Sequence, residues 1–391
     1  MRAAYDSLVT IQQDQAPSTD IPSTMHAVLL TGHGGFDRLE YRTDVAVPQP
    51  GPFDVLIRVG AAGVNNTDVN TRIGWYSKSI TGGTDSGASS GFDSGVDDDG
   101  SWSGAGLSFP RIQGADAVGT IVAVGSDVDR GRIGERVMVR SMQTDYENDD
   151  PTICITYGSE FDGGFAQFAI ADARESFVIN SSMTDIELAS FPCAYSTAEG
   201  MLHRVGLRAG ERVLITGASG GVGSAAIQLA KRRGAEVVAV SARLKWDAVT
   251  ALGADDVLGR NADLVAELGA ESVDVVMDLV AGAGFAALLE VLKKQGRYVA
   301  SGAIAGPIVD LDVRTLYLKD LTLVGSTFQD RVVFENLISY LEAGEIEPVV
   351  AKTFELADIV QAQQMFLAKE FVGKLVLVPP PVNSQGSEIQ P

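Results

Sequence analysis

The segment Arg212–Gly234, RVLITGASGGVGSAAIQLAKRRG, decides the fold. RVLITG has the short, continuous apolar character of a buried strand. GSAAIQLAKRRG has the spacing of an amphipathic helix closed by Gly234. Between them, Ala218-Ser219-Gly220-Gly221-Val222-Gly223 follows the pattern A-x-G-x-x-G. Such a turn aims backbone amides and the positive end of the helix at a pyrophosphate. Gly220 permits close approach of backbone to phosphate, and Gly223 permits close packing of helix on strand. The glycines alone are a weak signal. Their place between a strand and a helix makes a dinucleotide site the reading.

Working outward, the alternation continues. EVVAVS (236–241), DVVMDLV (274–280) and RYVASG (297–302) read as strands, while KWDAVTALG (245–253) and FAALLEVLKKQG (285–296) read as helices. Upstream, ELASFPCAYSTAEGMLHRVG (187–206) reads as one helix in spite of Pro192. Short apolar strands alternating with helices predict an α/β fold, with a doubly wound parallel sheet covered on both faces. The end of the second strand indicates which dinucleotide binds. An NAD site places Asp or Glu there to hold the ribose hydroxyls. This chain has Ser241, with Arg243 and Lys245 just after it. A hydroxyl and two cations suit a phosphate, which points to NADP(H). The plainer alternative is a solvated helix start.

The N-terminal half has a different texture. MHAVLLTG (25–32), LEYRTDVAVPQP (39–50), DVLIRVGAAGVN (54–65), AVGTIVAVG (117–125) and GERVMVR (134–140) are short β-branched runs between turn residues. They predict an antiparallel, partly barrel-like region. Residues 79–110 interrupt it with eight glycines, five aspartates and no Lys or Arg. That composition predicts a solvated surface insertion, either without a role or acting as a flap over a nearby pocket. Mixed text returns near the end: VFENLISYLEAGEI (333–346) and ADIVQAQQMFLAK (357–369) read as helices, and GKLVLV (373–378) as a strand. The expected organisation is a tail at 1–24, a first catalytic part at 25–176, the dinucleotide domain at 177–326, a second catalytic part at 327–378, and a tail at 379–391.

Composition bounds the function. The 391 residues carry 51 Asp and Glu against 30 Lys and Arg, a formal charge of −21. That field repels phosphate backbones and anionic lipid, which argues against nucleic-acid or membrane partners. It fits an ordinary acidic enzyme or a surface adapted to high salt. No run approaches the ~18 apolar residues of a membrane span. Two cysteines cannot form a disulfide framework, and no basic-then-apolar leader opens the sequence, so a cytoplasmic location is expected.

The pieces AAGVNNTDVNTRIGWY, FPRIQGADAVGTIVAVG, DGGFAQF, ASFPCAYSTAEGML, the glycine turn, LGADDVL, VDVVMDL, GRYVASG and VGKLVLV occur in this order from Met25 to about Val378. In them the chain resembles the medium-chain dehydrogenase/reductase superfamily, and within it the zinc-free quinone oxidoreductase branch. The resemblance implies a β-rich GroES-like catalytic domain beside a Rossmann domain. Zinc-dependent relatives carry a Cys after the AAGV strand and a His-Glu pair before VGTIVAVG. Here those places hold Asn65-Asn66-Thr67-Asp68 and Gly114-Ala115-Asp116. Only Cys154 and Cys193 are present, and His26, His33 and His203 have no ligand spacing, so no metal is expected. The two cysteines are expected to be ordinary buried thiols, with neither base nor cation beside them.

By the same resemblance, Asn65 and Tyr76 line the nicotinamide pocket, and Asp68 and Arg72 hold its loop. Asn70 stands where many relatives have Tyr, which passes the proton-donor role to Tyr76 or a water. Asn65 as a loop residue and Tyr76 as a plain buried aromatic are the alternatives. Thr197 matches a threonine beside the nicotinamide, or else caps its helix. Asp278, Ser301, Gly302 and Ala303 lie at ends of parallel strands, where ligands of such sheets sit. Lys374 matches a lysine that reaches the cofactor. The implied activity is NADPH-dependent hydride transfer to a quinone or activated C=C, by a homodimer joined through Rossmann edge strands. An alcohol or aldehyde reductase of the same fold and a non-catalytic NADPH sensor are the rivals.

Overall fold

A computed structural model describes residues 21–92, 98–146 and 150–382. Most of both expected tails and residues 93–97 of the insertion lie outside that range.

The strands Asp256–Gly259, Glu236–Ser241, Arg212–Ile215, Val273–Asp278, Leu292–Ala300 and Thr322–Gly325 form one sheet in that spatial order. All five pairings are parallel. Taking Arg212–Ile215 as the first strand, the order is 3-2-1-4-5-6, that of the dinucleotide-binding sheet. Alternate residues face opposite ways, so each strand serves two cores. Val213, Ile215, Val237, Ala239, Val275 and Met277 join one apolar cluster. Leu214, Val238, Val240, Val276 and Tyr298 join the other. Each fully buried Val or Leu contributes roughly 1.5–3 kcal/mol.

Two expected helices are revised. FAALLEVLKKQG does not stay helical: the helix Phe285–Val291 ends where the strand Leu292–Ala300 begins. Lys293 donates to Asp274 on the neighbouring strand, and Gly296 absorbs close backbone contact with Lys293. The segment around Pro192 divides into two helices, Asp185–Leu188 and Pro192–Arg204. Proline opens the second, where a missing N–H costs nothing.

The other sheet is mostly antiparallel and runs Ser176–Val178, Arg136–Val139, Val118–Val124, Asp54–Val64, Lys374–Val378, Val350–Glu355, with Phe168–Asp172 also on Asp54–Val64. The chain therefore leaves this sheet, builds the parallel one, and returns. Leu375 lies opposite Val64, which brings Lys374 beside Asn65 from 309 residues away.

The insertion is more than a solvated loop. Thr84, Gly87, Ala88 and Ser101 are buried, and Thr84 Oγ1 donates to Asn70 Oδ1 at 3.0 Å. Gly83 packs on the loop after Leu292–Ala300, where an added Cβ would lie 2.3 Å from the Ile304 carbonyl oxygen.

Candidate active site

A cleft runs between the two sheets. Its walls include Asn65, Asn66, Asp85, Gly217, Ser219–Gly223, Ser241, Lys245, Arg260, Ser301, Gly302, Lys369 and Lys374. The glycine turn forms one wall. The helix Gly221–Arg232 starts there, and its first amides have no acceptor within the helix. The left-handed turn residue is Gly217, at φ 60°. A Cβ on Gly223 would sit 2.4 Å from the Gly217 carbonyl oxygen, so glycine is required there for packing. At Gly220 the nearest atom to such a Cβ would be 3.5 Å away. The protein leaves that space open, as a cradle for a phosphate must. Ala218 is buried beneath the turn rather than exposed on it.

One group of cleft residues is cationic. Lys245, Arg260 and Lys369 all line it. Lys245 Nζ reaches Ser219 Oγ at 3.3 Å and the Lys369 carbonyl at 2.6 Å. Burial and the nearby Arg260 lower the Lys245 pKa. Burial, with Lys245 beside it, lowers that of Lys369 to about 8, against the opposing effect of Asp85. Ser241 Oγ is buried and has no protein partner. A partnerless hydroxyl lining the same cleft as three cations fits a phosphoryl group. Arg243 is not among the residues that line the cleft. It is exposed, and its guanidinium lies 4.9 Å from the centre of the Trp246 ring. A single 3₁₀ turn, Arg243–Lys245, sends the two cations apart.

A second group is polar and buried. Lys374 Nζ donates to Asn65 Oδ1 at 2.5 Å and to Asp116 Oδ2 at 2.9 Å. Asn65 Nδ2 donates to the same Asp116 oxygen at 2.9 Å, and the Cys193 amide donates to its Oδ1 at 2.6 Å. Asp68 accepts from the Asn65 amide at 2.7 Å and from the Ala115 amide at 3.2 Å. Burial, reinforced by Asp116, raises its pKa to about 7 against these bonds. Cys193 therefore does have charged neighbours: burial and Asp116 push its thiol up, with Lys374 opposing. Cys154 lies outside the described side chains.

Several expected residues stand back from the cleft walls. Tyr76 donates to Thr67 Oγ1 at 3.1 Å, Trp102 Nε1 donates to that same oxygen at 2.7 Å, and the two rings meet edge-on. Thr197 Oγ1 donates to the Cys193 carbonyl at 2.7 Å, a helix-internal bond. Asp278 is fully buried and accepts from Thr216, Tyr298, Val280 and Ala281. Ser301 and Gly302 face the cleft, while Ala303 gives way to Ile304 and Ala305. Arg72 holds the loop by donating to Gln363 and to the carbonyls of Gly34 and Ala88. Arg260 and Lys369 escaped the sequence reading, and Asp116 entered it only as a residue at the place of the relatives' zinc pair. Arg260, just after the strand Asp256–Gly259, carried a local signal, a cation at a parallel strand end.

Residues 51–181 match the model of the alcohol dehydrogenase GroES-like domain, and residues 221–343 that of the zinc-binding dehydrogenase. A crystal structure of a protein assigned as an alcohol dehydrogenase, from Sinorhizobium meliloti, is 47% identical with a TM-score of 0.84, covering 92% of this chain and 98% of that one. The chain belongs to the medium-chain dehydrogenase/reductase superfamily. Within the superfamily it is 29% identical to acryloyl-coenzyme A reductase of Metallosphaera sedula, over 90% of this chain and 99% of that protein. It is 27% identical to quinone oxidoreductase of Lama guanicoe, over 90% and 97%. It also matches erythronolide synthase EryA2 of Saccharopolyspora erythraea at 30% identity, spanning 92% of this chain but 9% of the synthase. As a member of this superfamily it is an oxidoreductase that uses a nicotinamide cofactor. The zinc of the matched domain's description does not fit the residues present. Among the described residues no three His, Cys, Asp or Glu side chains group to hold a metal. Asn65 Oδ1 and Asp116 Oδ2 are already bonded to an ammonium.

Proposed function

We propose that the chain is an NADPH-dependent, zinc-independent oxidoreductase that transfers hydride to an activated C=C, such as an enone or enoyl thioester, or to a quinone. The observation that carries the coenzyme choice is the buried, partnerless Ser241 hydroxyl lining the same cleft as Lys245, Arg260 and Lys369. A 2′-phosphate satisfies all four groups, whereas a bare ribose leaves three cations facing one another. The glycine turn and the amides of Gly221–Gly223 would hold the pyrophosphate, and Ser301 and Gly302 line the far wall of the cleft. When bound, the nicotinamide supplies the hydride; the chain orients it and excludes water.

The acceptor class is supported by the reductase and quinone oxidoreductase relatives and by the donor set of the buried polar group. Without a Lewis acid to polarise a simple carbonyl, an acceptor with a low intrinsic barrier is the better match. An alcohol dehydrogenase activity, suggested by the relative from S. meliloti, is the second reading. We further propose that the protein works in the cytoplasm as a homodimer. No helix among the described residues is long and apolar enough to cross a membrane. Thr322–Gly325 is an edge strand, and Ile308, Val313, Tyr317 and Leu318 are exposed close to it in the chain.

The test is NADPH turnover against quinones, 2-enoyl thioesters and simple aldehydes, with and without a chelator. Chelator-resistant reduction of the first two classes is expected. Chelator-sensitive turnover confined to simple aldehydes or alcohols contradicts the proposal.

A further inference from the structure

Lys374 enters the cleft by a path cleared for it. An added Cβ on Gly221 would lie 2.8 Å from Lys374 Cδ, and one on Gly63 would lie 3.0 Å from its Cε and 2.3 Å from Asp116 Oδ2. Gly63 on the strand Asp54–Val64 and Gly221 at the start of the helix Gly221–Arg232 thus leave room for the side chain. Its residue is 3% exposed, and its ion pair with Asp116 is as buried as any in the described molecule except Arg140–Glu175. Asp116 is fully engaged, one oxygen by the Cys193 amide and the other by Asn65 and Lys374. An ammonium has three N–H donors. Asn65 and Asp116 take two, and the residue still forms part of the cleft wall. The other cations of the cleft are Lys245, Arg260 and Lys369, which lie close to one another.

We propose that Lys374 is the resident cation of the reaction centre: its ammonium, seated on Asn65 and Asp116, holds the oxygen on which negative charge develops and excludes a divalent metal from the same seat. The proposal rests on the cleft being the coenzyme and acceptor site. In the reaction the acceptor gains a hydride at its β-carbon and the π pair moves onto its carbonyl oxygen. The third N–H of Lys374 donates to that oxygen, and a proton from water completes the reduction. A preorganised charged donor in a dry site is worth about 10²–10³ in rate. Because the charge is covalently tethered, no metal is needed. Divalent ions meet a filled, positively charged seat.

Lys374→Met and Lys374→Arg test the assignment by separating coenzyme affinity from turnover. Fluorescence titration of each variant sets the NADPH concentration that saturates it. With saturating NADPH and a quinone or enoyl acceptor, kcat of Lys374→Met should fall by about a hundredfold or more, and Lys374→Arg should recover at least tenfold of the loss. Turnover of Lys374→Met within threefold of the parent overturns the proposal. So does a loss confined to NADPH affinity with kcat at saturation unchanged. A second arm needs no variant and no turnover: cobalt titration of the parent protein should produce no visible d–d bands. A tetrahedral cobalt spectrum overturns the proposal even if Lys374→Met fails to fold. Failure of the parent to bind either nicotinamide nucleotide would instead contradict the reading of the cleft, a result distinct from each of these.

Discussion

Two groups of cations in the cleft are held in opposite ways. Lys374 is buried against Asp116 and Asn65, with its partners supplied by the protein. Lys245, Arg260 and Lys369 crowd together, and Lys245 donates only to a serine hydroxyl and a carbonyl oxygen. Burial lowers the pKa of both lysines there. Internal partners make a cation part of the framework of a site, whereas clustered like charges beside an unsatisfied hydroxyl mark a place that awaits an anion. In a chain of net charge −21, such a cluster is conspicuous.

The contrast can be broken most forcefully at Asp116. Asp116→Leu leaves Lys374 buried without its counter-ion, and stability should fall by about 3–5 kcal/mol, measured by chemical denaturation. Alanine at Lys245, Arg260 or Lys369 removes no internal ion pair. Stability should hold, while each change weakens NADPH by about 1.5–3 kcal/mol, roughly tenfold or more, and leaves NADH untouched. The pH dependence sharpens this. Lys369 carries its charge below about 8 and loses it above. NADPH affinity should therefore decline from pH 7 to 9.5 while NADH affinity stays level.

Asp68 gives an effect of the opposite kind, on folding. Its pKa rises from the usual carboxylate range to about 7 in the folded protein. Between about pH 4 and 7 the native state then holds more protons than the unfolded one, so stability falls as pH rises, by at most ~1.4 kcal/mol per pH unit. Asp68→Asn should flatten that slope in urea titrations. The smallest effect belongs to Arg243→Ala, expected within about 0.5 kcal/mol for both stability and NADPH binding, because the guanidinium is exposed over Trp246.

The parallel sheet and the glycine turn were legible because their signals are local: apolar runs, a helical period, and glycines at fixed spacing. The helix expected through residue 296 was not, because pairing with the strand Val273–Asp278 overrides the propensity of LKKQ. At the site, Ser241 and Lys245 were readable from the end of a strand. Arg243 looked equivalent to Lys245, but one 3₁₀ turn separates their directions. Asp278 looked like a ligand at a strand end, yet its oxygens are taken by Thr216, Tyr298 and nearby amides. Lys369 carries no local signal, and Asp116 showed only as a residue at the place of the relatives' zinc pair. The return of the chain to its first sheet brings Lys369 to the cleft and Lys374 onto Asp116, a contact between residues hundreds of positions apart.

The most direct test is a paired fluorescence titration of the parent protein with NADPH and NADH at pH 7. Binding of NADPH at least tenfold tighter than NADH is the predicted result. Equal affinities, or a preference for NADH, would contradict the assignment of the Lys245, Arg260 and Lys369 cluster to a phosphate.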